Sequence, residues 1–218
     1  MIRAETYHRL MDSDQAGVLM VPGFIGGELL RDAQQEADTK VAWRDVHSTY
    51  VNKRGLTIVQ NHDAYALDLV RGSHEPLRDL TTLALVASEV VRFADELAKD
   101  IPTLKDWQPT EQSLHRYDDP EVGLSFHKDN LRFRRLIAIV ALKGMCDLAV
   151  RDADGNVTYF ATEPGDLVAL RAPGLTGHAD DRPEHAVLNL RTDDRISMML
   201  RENNRPYDDI PGFDFDNL

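Results

Sequence analysis

The stretch LIAIVALKGMCDLAVRDADGNVTYFATEPGDLVAL, residues 136–170, decides the fold class. Four short apolar runs follow one another there: Leu136–Leu142, Leu148–Arg151, Val157–Ala161 and Leu167–Leu170. Turn residues divide them, and Ala153-Asp154-Gly155-Asn156 is a tight hairpin signal. The pattern continues outward on both sides, through Gln112–Tyr117 and Val122–His127 upstream and His185–Leu190 and Arg195–Leu200 downstream. Eight strand-like runs of this length predict a sandwich or jelly roll.

The half before Pro102 reads differently. Residues 3–12 suit a short helix, and Gly17 to Ile25 reads as a strand and turn. Glu28 to Lys40 carries Leu29, Leu30 and Ala33 on one side with charges between, a helical pattern. Val41 to Gln60 suits two short strands around the Asn52–Gly55 turn signal. Pro76 to Asp100 is the longest helical candidate, with Leu80, Leu83, Ala84, Ala87, Val91, Phe93 and Leu97 recurring near a period of 3.6. The expectation is an α+β fold in one domain over 1–218. Its parts are a helical or mixed lead-in over about 1–105, a jelly-roll core over about 106–202 and a tail over 203–218 that forms a surface loop or lid. The N-terminal helices would pack on one outer face of the core.

Composition narrows the chemistry. With 42% hydrophobic and 28% charged residues the chain reads as a soluble globular protein. The formal net charge of -12 argues against a nucleic-acid partner, because phosphate binding draws on a basic face. One cysteine, Cys146, makes no internal disulfide and no thiolate-rich metal site, and points to a reducing compartment. The N-terminus lacks a signal-peptide apolar core, and no apolar run approaches the length of a membrane span. A cytoplasmic location is the default expectation.

Within Phe126-His127-Lys128-Asp129, side chains two apart on a strand share a face, so imidazole and carboxylate can ligate one metal together. Alone, His-x-Asp is a weak signal, equally suited to a solvated strand face. His185 strengthens it. Fifty-five residues separate it from Asp129, enough for about four strands and their turns, so the chain can circle a jelly roll and return beside its starting strand. Two His and one carboxylate leave three positions open on an octahedral ion, the ligand set of non-haem iron(II) oxygenases. Arg195 follows after nine more residues, in Asp194-Arg195-Ile196-Ser197-Met198. Ile196, Met198 and Leu200 share one strand face and would pack against neighbouring structure, while Arg195 and Ser197 share the other. An inward guanidinium needs an anion, and its planar fork fits a carboxylate at two points. Ser197 can donate to the same carboxylate. The bland alternative is an internal Asp or Glu partner for Arg195.

His127-x-Asp129, then His185, then Arg195-x-Ser197 resembles the motif of the 2-oxoglutarate/iron(II) oxygenase superfamily. Glu163-Pro164-Gly165-Asp166 and the run Leu167–Leu170 resemble the turn and strand that precede the distal His there, and VPGFIGGELL resembles the helical lead-in. The likeness covers about residues 18–202, with its specific part within 117–201. It implies a double-stranded β-helix core, Fe(II) on His127, Asp129 and His185, and 2-oxoglutarate held by Arg195 and Ser197. Tyr117, ten positions before His127, matches a Tyr that reaches the co-substrate in several branches. The implied reaction uses O2 to oxidise a C–H bond of a small molecule, such as an amino acid or natural-product intermediate, with release of succinate and CO2. No catalytic residue beyond the metal ligands is implied. Halogenating members replace the carboxylate ligand by a small residue, so Asp129 favours hydroxylation or desaturation over halogenation.

Other readings compete. A protein or nucleic-acid hydroxylase or demethylase would share the chemistry. A non-redox cupin-type metal protein would share the fold, but needs no arginine ten residues after its last ligand. His178 rivals His185 as third ligand; the apolar run after His185 suits a buried strand, whereas His178 sits in a loop-like segment. His8, His47, His62, His74 and His115 lack partners at useful spacing and read as surface or core residues. Arg201 repeats the inward phase of Arg195 and reads as a structural ion-pair residue. Arg116, Arg132, Arg134 and Arg135 flank the metal strand; they suit an anionic substrate or, more simply, pairing with acids. Asp152-Ala153-Asp154-Gly155-Asn156 lacks the later Glu of a calcium loop and reads as a turn.

Overall fold

The computed structural model describes residues 4–11, 17–52, 55–68, 80–152, 154–177, 180 and 182–203. In chain order it contains α1 (Ala4–Met11), β1 (Val18–Val21), α2 (Gly27–Lys40), β2 (Arg44–Asp45), β3 (Ser48–Val51), β4 (Thr57–Gln60), β5 (His62–Asp68) and α3 (Thr81–Leu97). Then follow β6 (Glu111–Tyr117), β7 (Val122–His127), β8 (Phe133–Lys143), β9 (Cys146–Arg151), β10 (Val157–Thr162), β11 (Leu167–Arg171), β12 (Glu184–Leu188) and β13 (Arg195–Asn203). The expected start of the long helix at Pro76, and the tail beyond Asn203, lie outside the described residues.

Two antiparallel sheets form. One runs β1-β11-β8-β13-β6-β5-β2 and the other β10-β9-β12-β7-β4-β3. From β6 to β13 the chain alternates between them apart from the β9–β10 hairpin, which closes through the Asp152 turn as expected. This is a jelly roll. Its lead-in supplies more strand than the sequence suggests: β5 joins the seven-stranded sheet beside β6, and β3 and β4 extend the other beyond β7.

Helices cover the outer face of the seven-stranded sheet. Leu83, Val86, Val90, Phe93 and Leu97 line one side of α3 and share a core with Ala33 and Ala37 of α2. The same core takes Leu136, Ala138 and Val140 of β8 and Ile196, Met198 and Leu200 of β13. A strand covered on both sides reads as a continuous apolar run, which explains Leu136–Leu142. The first turn of α3 has free backbone N–H groups, and buried Glu36 of α2 accepts one of them from Leu83 at 2.8 Å. By contrast, β3 lies on an edge with all four residues exposed.

The inner faces diverge along their length. Ile137, Ile139, Val168, Leu170, Leu148 and Val150 fill one end with hydrocarbon. Ile58, Tyr117, Leu124, Cys146 and Val187 form a separate apolar cluster, and Tyr117 links it to the polar groups of the candidate site.

Candidate metal centre and anion pocket

The register of β12 on β7 sets His185 opposite His127. Their rings stand 4.4 Å apart between centroids. Asp129 joins them: His185 Nε2 lies 3.5 Å from Asp129 Oδ2, and one ligand atom from each of the three lies within 4.8 Å of the others. The spacing therefore does bring together the three side chains proposed from sequence. One detail differs. Asp129 does not continue the strand of His127; β7 ends at His127, and Asp129 lies beyond it. The cause is pairing, since β12 matches β7 no further than His185 opposite His127. Arg182 donates to the Asp129 carbonyl and so anchors the loop instead. The rival ligand His178 lies outside the described residues.

Each imidazole is oriented from behind. His127 Nδ1 lies 2.9 Å from the Ser125 carbonyl and His185 Nδ1 lies 3.4 Å from that of Pro183. Such bonds place the proton on Nδ1 and leave Nε2 with a free lone pair, the form a metal requires. Burial, then the neighbouring His127, lowers the His185 pKa to about 4, so its lone pair stays available in mild acid. Burial raises the Asp129 pKa, but the fields of His185, Arg201, His127 and Arg182 outweigh it and hold the group below its ordinary value. Two neutral imidazoles and one carboxylate are a donor set suited to a divalent first-row ion.

Across the interior, β13 pairs with β6 so that Arg195 faces Tyr117 and Ser197 faces His115. Arg195 is 2% exposed and Ser197 1%. Arg195 Nε and Nη1 and Ser197 Oγ are all buried without a hydrogen-bond partner. The internal acid that would make Arg195 structural is missing among the described residues. Buried donors without acceptors are costly, and here three of them come from one short segment. The Arg195 guanidinium also lies 5.4 Å from the Tyr117 ring centroid. Tyr117 is 2% exposed, and burial pushes its phenol up to about 12, so it stays a neutral donor. Its ring occupies space that only Gly123 leaves open, since a Cβ there would lie 2.5 Å from Tyr117 Cδ1.

Four other arginines pair with acids as the simpler reading expects, whereas Arg134 makes no such pair among the described residues. Arg201 bonds Glu111 at 3.1 Å, Arg132 pairs with the same carboxylate, Arg116 with Asp63 and Arg135 with Glu202. Two histidines read as surface or core residues lie beside the pocket. His62 and His115 stack at 4.4 Å with rings 14° from parallel, beside Tyr117, and His115 Nδ1 lies 3.2 Å from the Tyr117 hydroxyl. The signal for His115 was its position two residues before Tyr117, on one strand face. His62 gave no such signal, because β5 is brought beside β6 only by the fold.

No protein-family model and no curated protein matches the sequence. Solved structures do. A prolyl-4-hydroxylase from Pseudomonas putida superposes with a TM-score of 0.59 at 16% identity, over 86% of this chain and 92% of that one. A 2-oxoglutarate/Fe(II) oxygenase-family oxidoreductase from Burkholderia pseudomallei gives 0.58 at 17% identity, over 92% and 91%. A Trichoplax adhaerens prolyl hydroxylase, in complex with a peptide fragment of hypoxia inducible factor, gives 0.59 at 15%, over 91% and 87%. The chain has the double-stranded β-helix fold of the 2-oxoglutarate/iron(II) oxygenases. In that oxygenase fold, the strands β6 to β13 form the eight-stranded core, and β1 to β5 with the helices are additions around it. Among the described residues no helix is long and apolar enough to cross a membrane.

Proposed function

We propose that this protein is an iron(II)- and 2-oxoglutarate-dependent dioxygenase. The observation that carries the reading is a paired one: three groups able to ligate a metal converge between the sheets, and Nε and Nη1 of a buried guanidinium and a buried hydroxyl find no acceptor among the described residues. His127, Asp129 and His185 would hold the iron. Arg195, Ser197 and the Tyr117 hydroxyl would bind the far carboxylate of 2-oxoglutarate, which supplies the anion that Arg195 lacks. Bound there, the metal and 2-oxoglutarate supply the oxygen-activating chemistry that oxidises a C–H bond and releases succinate and CO2. The protein's own tasks are to orient the ligand lone pairs, keep Asp129 ionised and bury the anion pocket away from water.

The substrate we propose is a small molecule such as an amino acid or natural-product intermediate, oxidised by hydroxylation. The Trichoplax neighbour holds a peptide, which supports a second reading in which a peptide side chain enters the same site. Anaerobic loading with Fe(II) and 2-oxoglutarate, admission of air and quantification of succinate tests the class. Succinate must form and must vanish in Asp129→Ala. Panels of free amino acids and of proline-containing peptides, scored by succinate above the background, then separate the two substrate readings.

A further inference from the structure

The buried Tyr117 hydroxyl has one hydrogen to place and two places to put it. One is His115 Nδ1, 3.2 Å away. The other is the pocket of Arg195 and Ser197, toward which β13 faces Tyr117 in register. If the hydroxyl donates to His115, its lone pairs are left for the pocket, and an entering carboxylate meets oxygen against oxygen. If His115 carries its proton on Nδ1 and donates to the phenol oxygen, the hydroxyl hydrogen is released toward the anion. A neutral imidazole has one N–H and can do either, and donation to an anion is the stronger bond.

The surroundings hold the His115 ring in place beside the Tyr117 hydroxyl. Its ring lies flat against His62, which is 2% exposed. The residue directly opposite His115 on β5 is Ala64, whose small side chain leaves the diagonal open for the His62 ring. Burial first, and then the His62, Arg201 and Arg195 charges, hold His115 well below its usual range, so it is neutral and has one proton to direct.

Resting on the oxygenase reading above, we infer that His115 is a positioning residue for 2-oxoglutarate: its Nδ1–H donates to the Tyr117 oxygen and turns the Tyr117 hydroxyl into the Arg195 pocket. His62 clamps the imidazole plane. The metal ligands take no part in this arrangement.

The test measures the Kd of 2-oxoglutarate by calorimetry on Mn(II)-loaded protein, where no turnover occurs. His115→Phe keeps a ring to stack on His62 but removes the donor, and should weaken binding roughly tenfold, the value of one hydrogen bond to a charged group. Tyr117→Phe should do the same. The double variant should be no weaker than either single one, because both remove one shared bond. His115→Asn, which keeps an N–H near the Nδ1 position, should restore binding to within about twofold. With 2-oxoglutarate bound, 15N NMR should find the His115 proton on Nδ1. Multiplying effects in the double variant, an unchanged Kd in His115→Phe, or a proton on Nε2 each overturns the inference. Arg195→Met separates the two levels. If it loses binding while His115→Phe does not, the inference fails and the oxygenase reading stands; if the wild type itself binds no 2-oxoglutarate, that reading fails and takes the inference with it.

Discussion

Arg195 and Arg201 stand six residues apart on one face of one strand, and both are buried. Arg201 meets the Glu111 carboxylate and the Ser113 hydroxyl, at 3.1 and 3.3 Å. Arg195 meets the face of Tyr117 and leaves Nε and Nη1 without acceptors. The residue type, strand and burial are the same; the difference is the neighbour. Arg201 meets a carboxylate inside the fold and leaves Nε unpartnered, whereas under the proposed function Arg195 would be completed by the carboxylate of a bound 2-oxoglutarate. A chain stable enough to fold around an unmatched buried cation spends stability on binding, which is how functional sites depart from the rules of the core.

The comparison is tested most strongly at the proposed metal site. Asp129→Ala should abolish coupled turnover and weaken Fe(II) binding, by on the order of 100-fold or more, measured by metal titration. If both arginines kept identical roles after that change, the anion pocket would have no link to the metal.

Next come the arginines themselves. Arg195→Met should cost about 3 kcal/mol of 2-oxoglutarate affinity, about 100-fold, and leave the apo-protein's Tm equal or higher, because a buried unmatched charge is gone. Arg201→Met should do the reverse, lowering stability by about 1–3 kcal/mol, since Glu111 loses one charged hydrogen-bond partner and keeps Arg132. Equal Tm losses in the two variants would erase the distinction.

Acid provides a third probe. Burial first, and then neighbouring histidines and Arg201, lower the pKa of His62 and of His185 to about 4. In the unfolded chain they titrate near 6.5, so between about 6.5 and 4 the unfolded state binds more protons, and stability falls as pH falls through that window. Each contributes on the order of 3 kcal/mol by the end of it. Denaturant titrations of the apo-protein across this range should show the decline, and His62→Phe should remove part of it.

The smallest effect is at the wall of the pocket. Gly123→Ala drives a Cβ into the Tyr117 ring, and should cost about 1–2 kcal/mol of stability and a few-fold in 2-oxoglutarate affinity. An unchanged Kd would mean that Tyr117 has freedom the packing does not suggest.

Much of the core was legible. Val122–His127 matches β7 to the residue, Val157–Ala161 and Leu167–Leu170 each stop one residue short, Leu148–Arg151 starts two residues late, and Leu136–Leu142 starts three late and stops one short. The inward set Arg195 and Ser197, and the outward set Ile196, Met198 and Leu200, appear as expected. His185–Leu190 was read too long: Asn189 adopts a positive φ of 53° and ends the strand. The strand β5 went unread because His62-Asp63-Ala64-Tyr65 mixes charge with small residues, and only pairing with β6 selects that conformation.

By itself the sequence determined the alternation of each strand and, with it, which side chains share a face, as Arg195 and Ser197 do on β13. That is a local property, because adjacent residues on an extended backbone must point to opposite sides. Only the tertiary structure decided which inward groups find partners: Arg201 its carboxylate, Arg195 no acid among the described residues, His115 the Tyr117 hydroxyl and the His62 ring. Those outcomes depend on the register between strands far apart in the chain, and a shift of one residue would turn each of these side chains to the opposite face.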